Sequence, residues 1–312
     1  MILRPRAQAL ARLEEAWPEG APFGSAQVLR HNAGKTVLAL DSAKGPVVAT
    51  CFNRAQTDQQ PEGIAQAHET LARLIGAEAI PRLVAFLPRA AITVVEQVPG
   101  TPLSDIIRDE PDRAPAEIAR AAEWLSRLHR SVPRDRMAVS AAALTQSALT
   151  AGTEAPLVTE MEALIDAIGT IKQPRVKFHN DYKPDNVIVT PERIVGIDFR
   201  NTRFRAPQID VGHFLTRAAI YHLSRHEPGA VTRIGLPRAL TDAFDAGYGW
   251  PISRDPFLEL RVLTEAVLAR KKLLRRPITR RVALARPGGH GRGLTRLIAL
   301  MLESLEKPAQ EG

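Results

Sequence analysis

The stretch VKFHNDYKPDNVIVTPERIVGIDFR, residues 176–200, gathers the side chains best suited to chemistry in this 312-residue chain. His179, Asp181, Lys183 and Asn186 precede two short apolar runs, 187–189 and 194–197, and Asp198 follows them. The runs read as strands flanking a turn at Pro191 and Glu192, and a hairpin returns the chain to where it began. Asn186 and Asp198 are therefore expected side by side, with Asp181 close by on the preceding loop. A carboxylate there can orient an acceptor hydroxyl and take its proton. An amide oxygen and a second carboxylate suit Mg²⁺, a hard ion that prefers oxygen ligands, and Lys183 adds a point charge. Any one of these residues is ordinary in a polar loop; all five at this spacing suit phosphoryl transfer.

A second stretch, NAGKTVLAL (32–40), carries Gly34-Lys35-Thr36, the ending of a phosphate-binding P-loop. A P-loop also needs a glycine five positions before Gly34, where this chain has Leu29, and it must open a helix. Here both flanks, 27–31 and 36–40, read as strands, so the P-loop reading is set aside.

The elements that must position these residues fall into two kinds of sequence. Residues 1–98 begin with an amphipathic helix and are then mostly β. Strands are expected at 27–31, 36–40, 47–52, 82–87 and 92–97, with one helix over 61–75 whose Ile64, Ala67, Leu71 and Leu74 recur at helical spacing. Pro99, Gly100 and Pro102 mark a linker near 97–103. Residues 99–312 are mostly helical, with amphipathic patterns over APAEIARAAEWLSRLHRS and near 157–171, 209–226, 238–248, 257–275 and 294–305. The expected fold is α+β in two lobes: a small β-rich N-terminal lobe, 1–98, and a larger, mostly helical C-terminal lobe, 99–312, that carries the polar cluster.

Composition narrows the setting. The chain is 45% hydrophobic, enough for a sizeable core, and its one cysteine, Cys51, permits no internal disulfide. The N-terminus lacks the apolar core of a signal peptide, and no run approaches the ~18 apolar residues of a membrane span, so a cytoplasmic protein is expected. The net charge of +8 is uneven: no acidic residue lies between Glu265 and Glu303, an interval rich in Lys and Arg. A solvated helix face would account for it; so would a surface for an anionic substrate or for an anionic membrane, through 270–296. No nucleic-acid module is present, and no aromatics interleave with the arginines, so no specific nucleic-acid partner is expected.

HNDYKPDN and IDF resemble the catalytic and metal segments of the protein-kinase-like superfamily, with DFR standing where D-F-G would. Within that superfamily the chain most resembles the aminoglycoside phosphotransferase and choline kinase group. VVEQVPGTPLSDII is similar to the group's hinge, WLSRLH to the helix before the catalytic loop, PQIDVGHFL to the segment after the metal site, and AFDAGYGW to a late helix. The resemblance covers roughly 27–248 and implies an ATP- and Mg²⁺-dependent kinase of a small-molecule hydroxyl. It makes Asp181 the base, with Lys183 beside the transferring group. Asn186 and Asp198 become the metal ligands, and Glu96, Gln97 and Val98 face the adenine. His179 and Asp210 brace the loop. A nucleotide-binding module without transfer activity is the alternative. A Ser/Thr protein kinase is a further one, suggested by Lys183-Pro184 and opposed by the lack of an A-P-E segment.

Two positions depart from the resemblance. The third strand, VVATCF, has Thr50 where these folds place a phosphate-binding lysine. If 36–40 and 47–52 pair symmetrically, Thr50 sits opposite Val37 and Lys35 shares its face, so Lys35 is expected to take the lysine's place. Lys44 and Arg54 are rival donors. Glu69 on the first-lobe helix is the expected partner, with Glu62 as fallback, and Gly34 supplies the only glycine of a thin phosphate loop. For the acceptor, a sugar, an amino alcohol or a glycolipid is considered. The basic interval favours an anionic acceptor, while Tyr248, Trp250 and Phe257 would serve a choline-type aromatic cage.

Overall fold

The computed structural model describes residues 3–17, 23–43, 45–53, 61–132, 135–150, 154–199 and 204–306. The chain divides into two compact units, Met1–Gly100 with Thr190–Thr202, and Thr101–Val189 with Arg203–Gly312.

The first unit comprises α1 (Leu3–Ala16), β1 (Ala26–His31), β2 (Lys35–Ser42), β3 (Gly45–Phe52), α2 (Pro61–Ile75), β4 (Leu83–Leu87), β5 (Ile92–Glu96) and, far along the chain, β10 (Ile194–Gly196). Strands β1-β2-β3-β5-β4 form one antiparallel sheet in that order. Side chains alternate across a strand, so Leu38, Leu40, Val47, Ala49 and Cys51 share one buried face. Ala9, Leu13 and Trp17 recur every four residues and cover it. Lys35, Val37 and Thr50 lie on the opposite face, and β2 pairs with β3 with Val37 opposite Thr50, the symmetric register expected. Helix α2 has its expected bounds and buries Ala65, Ala67, His68, Leu71 and Ile75. Segment Thr190–Thr202 joins this unit because β10 packs against a 3-10 turn at Ala77–Ala79 and Asp198 is held by Lys35.

The second unit is mostly helical: α3 (Leu103–Asp109), α4 (Ala114–Arg130), α5 (Ala141–Leu149), α6 (Ala155–Ile168), α7 (Gln208–Leu223), α8 (Arg238–Tyr248), α9 (Pro256–Leu274), α10 (Ile278–Leu284) and α11 (His290–Glu306). Strand β6 (Thr101–Pro102) pairs with β9 (Val187–Val189), and β11 (Phe204–Arg205) pairs with β8 (Thr170–Lys177), which pairs with β7 (Asp135–Ser140). Helices α4 and α8 approach so closely that a Cβ at Gly247 would collide with the backbone of Ala119. That approach carries the next residue, Tyr248, against α4, where its carbonyl accepts from Ser126 Oγ at 2.8 Å.

The helix expected over 157–171 stops at Ile168. Ile165, Ile168 and Ile171 continue a helical spacing, but Gly169 takes φ 58°, and TIKQPRVK runs on as β8. No helix among the described residues is long and apolar enough to cross a membrane. The antiparallel sheet and helical remainder are the α+β class expected.

Candidate active site

The catalytic-loop candidates lie in the second unit. Asp181 is 5% exposed. Its carboxylate accepts from Lys183 Nζ at 3.1 and 2.9 Å and from Asn186 Nδ2 at 3.1 Å. Asn186 Nδ2 also donates to the Asp181 carbonyl at 2.9 Å, in a 3-10 turn at Pro184–Asn186. With both donations made by the amide nitrogen, Oδ1 of Asn186 is left as the atom to present to a cation. The structure thus brings Asp181, Lys183 and Asn186 together.

Residues from distant helices fix this loop. Asp210, in the first turn of α7, accepts from the backbone N–H of His179 at 2.7 Å and of Asn180 at 3.2 Å. Asn180 has φ 73°, in the left-handed region that asparagine tolerates. Tyr182 is fully buried, stacks on Trp124 and Phe214 at 5.3 Å each, and donates to the Ala121 carbonyl at 2.6 Å. Burial, first of all, raises its phenol well above the ordinary value, with Asp210 adding to the rise, so it stays a neutral donor. His179 packs edge-on against both Trp124 and Tyr182. Behind Asp210, His129 sits between Asp210 Oδ2 at 3.4 Å and the Tyr248 hydroxyl at 2.6 Å. Asp185 accepts from Tyr221 at 2.5 Å. The anchoring roles of Tyr182, His129 and Tyr221 are not apparent from the sequence, because each depends on helices distant along the chain.

In the first unit, Lys35 Nζ donates to Asp198 Oδ1 at 3.0 Å, with side chains 12% and 26% exposed. Asp198 has φ 57°. Phe199 beside it meets His68 edge-on at 5.4 Å. Gly34 stands in a turn capped by Asn32: Oδ1 of Asn32 accepts from the N–H of both Gly34 and Lys35 at 2.9 Å. β2 starts at Lys35, so a strand follows the glycine and no P-loop is formed.

Glu69 is not brought to Lys35 by any ion pair among the described residues. Helix α2 turns His68 inward and leaves Glu69 exposed. Glu69 lines a cavity of about 520 Å³ with His68, Glu78, Arg82, Glu96 and Arg193. Glu62 lies in the first turn of α2. The Glu96 carboxylate pairs with Arg82 at 3.6 Å and Arg193 at 3.9 Å, while its N–H and that of Gln97 donate to the carbonyls of Arg82 and Pro46. Val98 follows the last pair of that ladder. Lys44, Arg54 and Arg200 lie outside the described residues. Tyr248 and Phe257 are core residues and Trp250 is exposed, so the three do not form the aromatic cage considered above.

No cluster of three or more His, Cys, Asp or Glu side chains suited to a metal occurs among the described residues. Mg²⁺ does not require such a cluster. It is commonly bound by one or two protein oxygens with substrate phosphates completing its shell, and Asp198 and Asn186 are oxygen donors of that kind.

The model of the phosphotransferase enzyme family matches residues 25–254. The chain belongs to this family. It is a small-molecule kinase, a phosphotransferase acting on a hydroxyl group. Solved structures share the fold at low identity. A choline/ethanolamine kinase family protein from Mesorhizobium loti is 16% identical, with TM-score 0.62 over 96% of this chain and 95% of that one. The choline kinase LicA from Streptococcus pneumoniae is 13% identical, with TM-score 0.59 over 95% and 99%. The macrolide 2'-phosphotransferase MphH from Brachybacterium faecium is 14% identical, with TM-score 0.58 over 98% and 100%. A search of curated protein sequences gave no match.

Proposed function

We propose that this phosphotransferase moves the γ-phosphoryl group of ATP to a hydroxyl of a sugar or glycolipid, with Asp181 as the base. The observation that carries the reading is the buried Asp181 carboxylate, held by Lys183 and Asn186. A carboxylate so fixed can accept a hydroxyl proton without reorganising, and Lys183 lies where it can balance charge as the phosphoryl group passes. Lys35, on the face of the sheet that also carries Thr50, takes the phosphate-binding part vacated by that threonine. Asn186 and Asp198 supply oxygens to Mg²⁺, which when bound neutralises phosphate charge. Glu96, Gln97 and Val98 border the adenine through their backbone, and Gly34 lets the phosphates approach the Asn32 turn. Glu69 of α2, with Glu62 as fallback, balances Lys35 when nucleotide is bound.

Neighbouring structures support the nucleotide: LicA is described with AMP, and the amicoumacin kinase hAmiN with AMP-PNP and Ca²⁺. For the acceptor, the burial of Tyr248 and Phe257 weighs against a choline-type cage, and the acid-free basic interval favours an acceptor bearing negative charge. The test pairs ATP and Mg²⁺ with a panel of sugars, amino alcohols and glycolipids, using wild type and Asp181→Asn. The variant is expected to keep its fold and nucleotide affinity while turnover falls by ~100-fold or more. A variant that keeps most of the wild-type rate removes Asp181 as the base.

A further inference from the structure

The basic interval carries more than charge. The three most exposed large hydrophobic side chains among the described residues are Ile278 at 68%, Val282 at 59% and Leu274 at 53%, all within residues 274–282. Ile278 and Val282 are one turn apart on the same face of α10, and Leu274 ends α9 just before it. Helix α10 buries none of its residues. Along the same stretch lie Lys271, Lys272, Arg275, Arg276 and Arg280, with no acidic residue anywhere between Glu265 and Glu303.

A helix face that merely meets water carries polar side chains outward. This one points isoleucine and valine outward and sets cations beside them. The arrangement is also fixed in place. Gly288 N–H donates to the Ser224 carbonyl at 3.0 Å, a Cβ at Gly289 would collide with the Leu284 carbonyl, and His290 meets Arg217 at 2.9 Å. α10 is thereby tied at its C-terminal end to α7 and α11, and among the described residues nothing buries Ile278 or Val282.

We propose that residues 274–286 form a docking surface for an anionic lipid bilayer. Helix α10 lies in the plane of the interface, Ile278, Val282 and Leu274 enter the acyl boundary, and the arginines and lysines meet lipid phosphates. An anionic bilayer rewards both features at once, whereas a polyanion in water has no use for the aliphatic tips. The proposal does not depend on phosphoryl transfer.

The experiment is sedimentation of the full chain with vesicles of phosphatidylcholine, or of phosphatidylcholine mixed with phosphatidylglycerol. Wild type is expected to sediment with the mixed vesicles alone, and less so as salt rises. Ile278→Ser with Val282→Ser keeps every charge and should lower binding by about tenfold. Arg275→Gln with Arg276→Gln should lower it comparably. All four positions are exposed, so unchanged circular dichroism and melting temperature should accompany both losses. Failure of wild type to sediment with the mixed vesicles overturns the proposal. So does binding that is indifferent to the serine pair, which would reduce the segment to charge-driven adsorption.

Discussion

Asp181 accepts hydrogen bonds from two side chains of its own loop and is 5% exposed, whereas Asp198 keeps 26% of its side chain exposed and is paired with Lys35, 163 residues earlier. The first carboxylate is placed locally, with Tyr182 and Asp210 pinning the backbone on either side of it. The second relies on a single long-range ion pair and on a left-handed backbone, a conformation that costs about 1–3 kcal/mol outside glycine. Lys35 reaches it only because β2 and β3 pair with Val37 opposite Thr50; a shift of one residue would turn the lysine to the other face. The side-chain partners of one carboxylate thus lie within its own motif, while the partner of the other is a property of sheet register.

The comparison breaks most sharply at Asp210. Asp210→Ala removes the acceptor of the His179 and Asn180 N–H groups, and the buried His179 N–H costs about 1–3 kcal/mol without a partner. Asn180 is exposed and water can reach its N–H, so a loss of roughly 1–3 kcal/mol in denaturant unfolding, with turnover lost alongside, is the expected result. A variant as stable as wild type would mean that the loop does not depend on this anchor.

At the other carboxylate, Lys35→Met should reduce turnover roughly 100-fold, the scale of removing one preorganised donor from a site of developing charge. Adding Thr50→Lys should recover part of the rate, since both positions lie on one face. Full activity in Lys35→Met would leave the ion pair with a structural part alone.

The smallest effect sharpens the contrast through pH. His68, buried against Phe199, has its pKa lowered to about 4 by burial, which outweighs the hydrogen bond to Pro81. As pH falls below the ordinary histidine value of about 6.5, the unfolded chain takes up a proton that the folded chain refuses. Stability should therefore decline from about pH 6.5 downward, by on the order of 2 kcal/mol for this residue at about pH 5. Melting temperatures of His68→Phe should fall less steeply over that range than those of wild type. Some slope should remain from His290, likewise lowered to about 4 by burial and by Arg217. Equal slopes would assign the acid sensitivity elsewhere.

Much of this architecture is legible in the chain itself. Helix α2 shows its apolar spacing, the β2–β3 pairing follows from two alternating runs around a short turn, and the polar types at 179–186 announce chemistry by their density. The β7–β8–β11 sheet is not legible. DRMAVS and TIKQPRVK carry charges and a proline where strand patterns carry valine and isoleucine, and their pairing comes from residues far apart in sequence. The choice between His68 and Glu69 is also hidden. Adjacent helical positions differ by about 100°, and the phase that buries the histidine becomes visible only once α2 lies on its neighbours.

The grouping of Thr190–Thr202 with Met1–Gly100 has a consequence for how this protein can be divided. The polypeptide passes from one unit to the other three times, so neither unit corresponds to an uninterrupted length of gene. A fragment ending at Gly100 would retain Lys35 without Asp198, and a fragment beginning at Thr101 would carry β10 and Asp198 with nothing to receive them. Exchange of the first unit between relatives would therefore have to transfer two separated pieces of coding sequence, and a recombination crossover at 100 alone would separate lysine from carboxylate.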